Sequence, residues 1–260
     1  MVTVLNTVDT GHEDMIHDAK MDYCGTRLAT CSSDQSVKIY DVRNGTQTLI
    51  ADLRGHEGPV WQVAWAHPKY GNLLASCSYD RKLIIWKETN DKWVKHYEYS
   101  NHDSSVNSVA WAPHELGLIL ACGSSDGCIS IIINTSPGIW DNRKIVNAHT
   151  IGCNSVSWAP ATIPNSVFDP AAAAGSKPVK RLVSGGCDNL VKIWREENDA
   201  WVEEAKLERH SDWVRDVAWA PSIGLPASYI ASGSSEDQWT CISDVSKGQG
   251  QLVGSEQRAL

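Results

Sequence analysis

Apolar and polar residues alternate along this chain over short stretches that end at Gly, Pro, Asn or Asp. Val60-Trp61-Gln62-Val63-Ala64-Trp65 and Val214-Arg215-Asp216-Val217-Ala218-Trp219 carry apolar residues at close spacing and stop before Pro68 and Pro221. Side chains on a strand point alternately to its two faces, so this spacing predicts half-buried β-strands. A run of small residues follows, as in Leu28-Ala29-Thr30-Cys31, Leu74-Ala75-Ser76-Cys77 and Ile230-Ala231-Ser232-Gly233. A third apolar run closes on Trp at Leu83-Ile84-Ile85-Trp86 and Leu190-Val191-Lys192-Ile193-Trp194. A fourth carries the mark Asp-x-Trp-Val at 91–94 and 199–202. Short strands with turn residues between them predict an all-β fold.

The four-strand unit recurs. His12, His56, His102, His149 and His210 each precede a copy, and the first three steps between them are 44, 46 and 47 residues. These lie close to the period of about 40–45 residues that marks WD-type propeller blades. The fourth step is 61 residues because Trp158 and Leu182 stand 24 apart, where Trp65 and Leu74 stand nine apart. The extra residues, at 161–181, hold Pro164, Pro170, Ala171 to Ala174 and Pro178, which reads as an inserted surface loop. The expected organisation is one WD-repeat propeller domain over 1–245 and a disordered tail over 246–260. Four copies are complete and a fifth is partial or patched; with the resemblance described below, the expected fold class is an all-β, open WD-repeat propeller.

Composition supports repetition. Twelve Trp against one Phe in 260 residues indicates one role for Trp copied several times. The net charge of −8 offers no basic excess for phosphates, so direct nucleic-acid binding is not expected. No apolar run reaches the roughly 18 to 20 residues of a spanning helix, and the first fifteen residues lack a signal-peptide pattern, so a protein made in the cytosol and peripheral to membranes is expected. The eight Cys include no C-x-x-C pair and are expected as small buried thiols.

Counting back from each turn Asp gives His56, Ser76, Asp80 and Trp86 in the second copy and His149, Ser184, Asp188 and Trp194 in the fourth. The first copy has His12, Thr30, Asp34 and Tyr40, and the third has His102, Cys122, Asp126 and Ile132. Ser, His and Asp together imitate a hydrolase triad. An active site is not repeated every 45 residues or so, however, and a buried hydrogen-bond relay that ties each blade together explains the repetition. No phosphate-binding loop, nucleophile elbow or zinc-helix motif occurs, and no catalytic, cofactor or metal site is expected.

The stretches Gly55-His56-Glu57-Gly58-Pro59-Val60-Trp61, His102-Asp103-Ser104-Ser105-Val106, Ser184-Gly185-Gly186-Cys187-Asp188-Asn189 and His210-Ser211-Asp212-Trp213-Val214-Arg215 resemble the Sec-thirteen family. The resemblance covers nearly all of residues 1 to 235. It implies a six-bladed open propeller, with an α-solenoid partner donating a further blade into the gap. The implied partners are the large solenoid subunit of the COPII outer coat, the scaffold nucleoporins of the Y-shaped complex, and a lysosomal nutrient-signalling complex. The implied sites of action are the cytoplasmic face of the endoplasmic reticulum and its COPII vesicles, the nuclear pore, and the lysosomal surface. A strand over residues 2–8, with Val2, Val4, Leu5 and Val8, is then expected at an edge of the gap.

Two features point elsewhere. Tyr40-Asp41-Val42-Arg43 fits the Asp-x-Arg pattern of ubiquitin-ligase substrate receptors once. After Ser235 the chain passes to Glu236-Asp237-Gln238-Trp239-Thr240, in which Asp-x-Trp matches an outer strand where a third strand is due. Set against the family pattern, the rest of blade five and most of blade six are absent, as in a splice product or a faulty gene assembly, and the fifth blade is left incomplete unless Trp239 to Val245 pairs in register as a substitute third strand.

Overall fold

The computed structural model describes residues 3–4, 7–43, 47–161, 178–221, 228–236, 239–243 and 251–252, the last two as backbone. The described residues form five antiparallel four-stranded sheets. The first blade is β1 (Ile16–Met21), β2 (Arg27–Ser32), β3 (Ser36–Asp41) and β4 (Thr48–Arg54). The second is β5 (Val60–Trp65), β6 (Leu73–Ser78), β7 (Leu83–Thr89) and β8 (Lys92–Tyr99). The third is β9 (Val106–Trp111), β10 (Ile119–Ser124), β11 (Ile129–Ser136) and β12 (Ile139–Ile145). The fourth is β13 (Cys153–Trp158), β14 (Arg181–Gly186), β15 (Val191–Glu197) and β16 (Ala200–Leu207). The fifth is β17 (Val214–Trp219), β18 (Tyr229–Ser234), β19 (Trp239–Ser243) and β20 (Gln251–Leu252). Strands are neighbours in chain order in every sheet, the meander of a WD-repeat β-propeller.

The turns follow from their residues. β7 joins β8 through Asn90 and Asp91, at φ 50° and 59°, and β15 joins β16 through Asn198 and Asp199, at 49° and 63°. Two successive residues at positive φ make the tight turn whose twist matches a hairpin, and Asn and Asp tolerate it best after Gly.

By its internal contacts the chain divides into two compact units, Met1–Val109 and Ala110–Leu260. In the first unit Val60 and Val63 of the second blade are fully buried and share a core with Ala29, Cys31, Val37 and Ile39 of the first. In the second unit Val214 and Val217 of the fifth blade share a core with Val183, Val191 and Ile193 of the fourth. Gly185 makes that approach close: a Cβ there would lie 2.5 Å from a Val214 methyl carbon. Each such valine contributes about 1.5–3 kcal/mol on burial. The small-residue second strand is thus a seat, filled by the valines of the following blade.

Two expectations change. Thr3, Val4, Thr7 and Val8 lie outside any strand; Val4 is exposed, while Val2 and Leu5 fall outside the described residues. A strand needs ladder partners, and no strand of a preceding blade stands beside this segment in the described structure. The disordered tail was expected from residue 246, yet Gln251 and Leu252 pair with Ser243 and Ile242. An open ladder edge recruits whatever backbone follows it. Despite its outer-strand mark, Trp239–Ser243 pairs with β18 as the substitute third strand of a patched fifth blade, with Ile242 opposite Ile230 as Trp86 is opposite Leu74. Of the inserted loop, residues 162–177 lie outside the described residues.

Candidate functional site

The relay residues converge as their spacing predicts. In the second blade His56 Nδ1 is 2.9 Å from Asp80 Oδ2, His56 Nε2 is 2.8 Å from Ser76 Oγ, and the Trp86 indole N–H donates to the same Oγ at 2.9 Å. The fourth blade repeats this with His149, Asp188, Ser184 and Trp194, each contact at 2.8 Å. Because the carboxylate only accepts, Nδ1 carries the proton, Nε2 accepts from the serine hydroxyl, and the hydroxyl oxygen accepts from the indole. His56 lies on the loop between β4 and β5, so the relay fastens each incoming loop to its blade. Asp80 also accepts from the backbone N–H groups of Glu57 (2.9 Å) and Lys82 (2.9 Å). Burial alone would push its carboxyl up; the hydrogen bond and charge of His56 and these backbone donors outweigh that and bring it down to about 2.

The first blade keeps three members of four. His12 reaches Asp34 and Thr30 at 2.8 Å each, but Tyr40 does not join them: its hydroxyl donates to the backbone carbonyl of Thr10. An indole N–H projects from the side of its ring, whereas a phenol O–H projects from the far end and overshoots the strand hydroxyl. Lys38 Nζ donates to the same carbonyl at 3.2 Å, so Tyr40 and Lys38 strap the segment before His12 to the blade. In the third blade Cys122 and Ile132 occupy the hydroxyl and indole registers, and Lys144 lies 3.5 Å from Asp126.

The fifth blade carries a relay that the turn-Asp count did not include. His210 Nε2 is 2.8 Å from Ser232 Oγ, and its Nδ1 is 3.1 Å from Glu236, which also accepts from the Ser211 N–H. The signal was present: Glu236 follows Ser232 by four residues, as Asp80 follows Ser76.

The relay histidines are buried, and among the described residues no group of three or more His, Cys, Asp or Glu is arranged to hold a metal. Burial pushes the Cys31 and Cys122 thiols up to about 12, away from nucleophilic thiolate character near neutrality. Arg43 folds back onto Asp41 as an exposed ion pair.

The repeated face offers more to a partner. Each blade presents its first-strand apolar residues to the blade before it, and the first blade has none before it among the described residues. Ile16 and Met21 are 47% and 49% exposed, and Ala19 is exposed too, whereas Val60 and Val63, the register equivalents of Ile16 and Ala19, are fully buried. The Trp65 indole donates to Lys20 O of the preceding blade at 3.0 Å, and Trp158 does the same to Ala110 O at 3.0 Å. Met21 holds that position in the first blade.

The WD domain, G-beta repeat family matches residues 3–41, 47–87 and 93–132. The chain is 74% identical to the human protein named Protein SEC13 homolog, across 93% of this chain and 76% of that one. It is 62% identical to the Drosophila melanogaster homolog, across 95% and 70%. To the Mycosarcoma maydis protein named Protein transport protein SEC13 it is 49% identical, across 88% and 72%. With its blades, its repeated relay and these identities, the chain belongs to the Sec-thirteen (SEC13) family of WD-repeat proteins.

Proposed function

We propose that the chain is a non-enzymatic scaffold in protein transport that accepts a blade from an α-solenoid partner. The observation that carries this is the uncovered first-strand face of the first blade, Ile16, Ala19 and Met21. Covering it with another blade would bury apolar surface as Val60 and Val63 do one blade later. The name of the fungal relative supports the transport role, and the relay supports the rest, because a constellation present in four blades holds blades together and does not single out a substrate. The donor in this proposal is the large solenoid subunit of the COPII outer coat, on the cytoplasmic face of the endoplasmic reticulum. Scaffold nucleoporins of the Y-shaped complex at the nuclear pore and a lysosomal nutrient-signalling complex are its alternative assemblies. Titration of the purified coat subunit into the wild-type chain and into an Ile16→Asp, Met21→Asp double variant, followed by calorimetry, tests it. Binding is expected for the wild type and a loss of at least tenfold for the variant; equal affinity for both would overturn the proposal.

A further inference from the structure

The repeats serve as internal controls, and one rim position departs from them. In the first strands of four blades the ladder skips one residue: His17, Trp61, Asn154 and Arg215. A bulge of this kind turns a side chain out of the sheet. Each bulge residue meets, in its own blade, the residue just before the turn acid. His17 Nε2 is 2.6 Å from Ser33 Oγ, Cys187 Sγ is 3.4 Å from Asn154 Oδ1, Arg215 Nε donates to Ser235 Oγ at 2.5 Å, and the Trp61 and Tyr79 rings stand edge to face at 6.4 Å.

The backbone at these positions is the same in all four blades. The N–H groups of Ser33, Tyr79, Cys187 and Ser235 each donate to the residue before the strand's first member, Met15, Pro59, Gly152 and Trp213, at 2.8–3.1 Å. Folding is therefore served by a small residue there, and Tyr79, at 63% exposure, adds a ring that the blade does not need. Trp61 is held in place: its indole donates to Ser105 Oγ at 2.9 Å, and the His17 ring meets it edge to face with centroids 4.6 Å apart. The three rings make an aromatic corner within one unit of the molecule.

Exposed carboxylates precede the strands that carry His17 and Trp61, and the exposed Arg81 follows Tyr79 by two residues. Glu13 and Asp14, ahead of β1, and Glu57, ahead of β5, are exposed, and Lys82 lies 3.7 Å from Glu57. Elsewhere the molecule shows what seats on a rim tryptophan, since the Arg215 guanidinium lies 4.9 Å from the Trp213 ring centroid. We propose that the His17, Trp61 and Tyr79 corner is a docking site for an arginine side chain in an extended basic segment of a partner protein. The guanidinium stacks on the ring faces by cation–π attraction, with the nearby carboxylates supplying charge complementarity. Its His17 member is on β1 beside Ile16, so this corner adjoins the first-blade face to which a donated blade is assigned.

The full chain labelled with 5-fluorotryptophan, its Trp61 signal assigned through Trp61→Phe, reports on the site by fluorine NMR. The probe is a capped Gly-Ser-Arg-Gly-Ser peptide, titrated beside its citrulline counterpart, which keeps the shape and loses the charge. The arginine peptide is expected to shift the Trp61 signal saturably, with the citrulline peptide weaker by about fivefold or more. Tyr79→Ser installs the residue that other blades carry, so it is expected to weaken binding while leaving the melting temperature within about 1 °C. Equal shifts from the two peptides, the absence of a saturable shift, or a Tyr79→Ser variant that melts several degrees lower would each overturn the proposal.

Discussion

Trp86 donates its indole N–H to Ser76 Oγ at 2.9 Å, across the second and third strands of one blade. That bond ends a chain of three running from Asp80 through His56, and all its interior members are buried. Ser76 is the middle link, and its removal strands groups on both sides. Ser76→Ala should therefore cost about 2–5 kcal/mol, because the His56 Nε2 and the Trp86 N–H both lose a partner at once. Tyr40→Phe in the first blade should cost about 1 kcal/mol, since it ends one bond to a loop carbonyl and leaves the His12 to Thr30 contact intact. Urea melts of the two variants compare them directly, and equal losses would contradict the relay.

The pH dependence follows from the turn acids. Asp80 is brought down to about 2, and Asp34 and Asp188 are likewise lowered: hydrogen bonds from histidine and backbone, and for Asp34 first of all from the Ser36 hydroxyl, outweigh burial. A carboxylate with a lower pKa folded than unfolded stabilises the fold above its unfolded value, near 4, and loses that contribution as pH falls toward the folded value. Denaturant midpoints should hold between about pH 7 and 5 and then drop steeply toward pH 2. Asp80→Asn should flatten part of that drop; an unchanged slope would show that these acids do not govern it.

The fifth blade should respond less than the second. Its acid is a glutamate with an 18% exposed side chain, against 5% for Asp80, and Ile242 stands at the indole register with no N–H to give. His210→Ala is expected to cost about 1 kcal/mol and His56→Ala about 2–3 kcal/mol. Chemical denaturation of both variants in the same buffer measures the difference.

The patched fifth sheet leads to another expectation. β20 is two residues long and β19 five, where the other blades' third and fourth strands have six to eight. Inserting between Ser235 and Glu236 the segment that the family resemblance implies is absent should lengthen this pairing, and the melting temperature should rise by several degrees, at about 2–4 °C per kcal/mol gained. An unchanged transition in calorimetry would show that β19 and β20 already complete the blade.

Much of this architecture was legible in residue order. The histidine spacing, the Val-x-x-Val-x-Trp runs and the small-residue strands recur, and repetition reveals both strand and face, because each copy solves the same burial problem. Three details needed coordinates. Tyr40 aligns with Trp86, but its donor atom sits at the end of the ring and finds Thr10. The bulges at His17 and Trp61 depend on register against the neighbouring strand, which one strand's sequence does not encode. Trp239 carried the local mark of an outer strand, and the open edge of β18 overrode that mark by supplying ladder groups to pair.

The scaffold account turns on one face. Hydrogen exchange of the Ile16–Met21 amides, followed by mass spectrometry with and without the COPII large solenoid subunit at saturating concentration, tests it most directly. The account predicts that these amides slow by about tenfold or more in the complex, while those of Val60–Trp65, already covered by the first blade, keep their rates. Unchanged exchange at Ile16–Met21 in a complex that demonstrably forms would contradict it, and the partner would then be bound elsewhere.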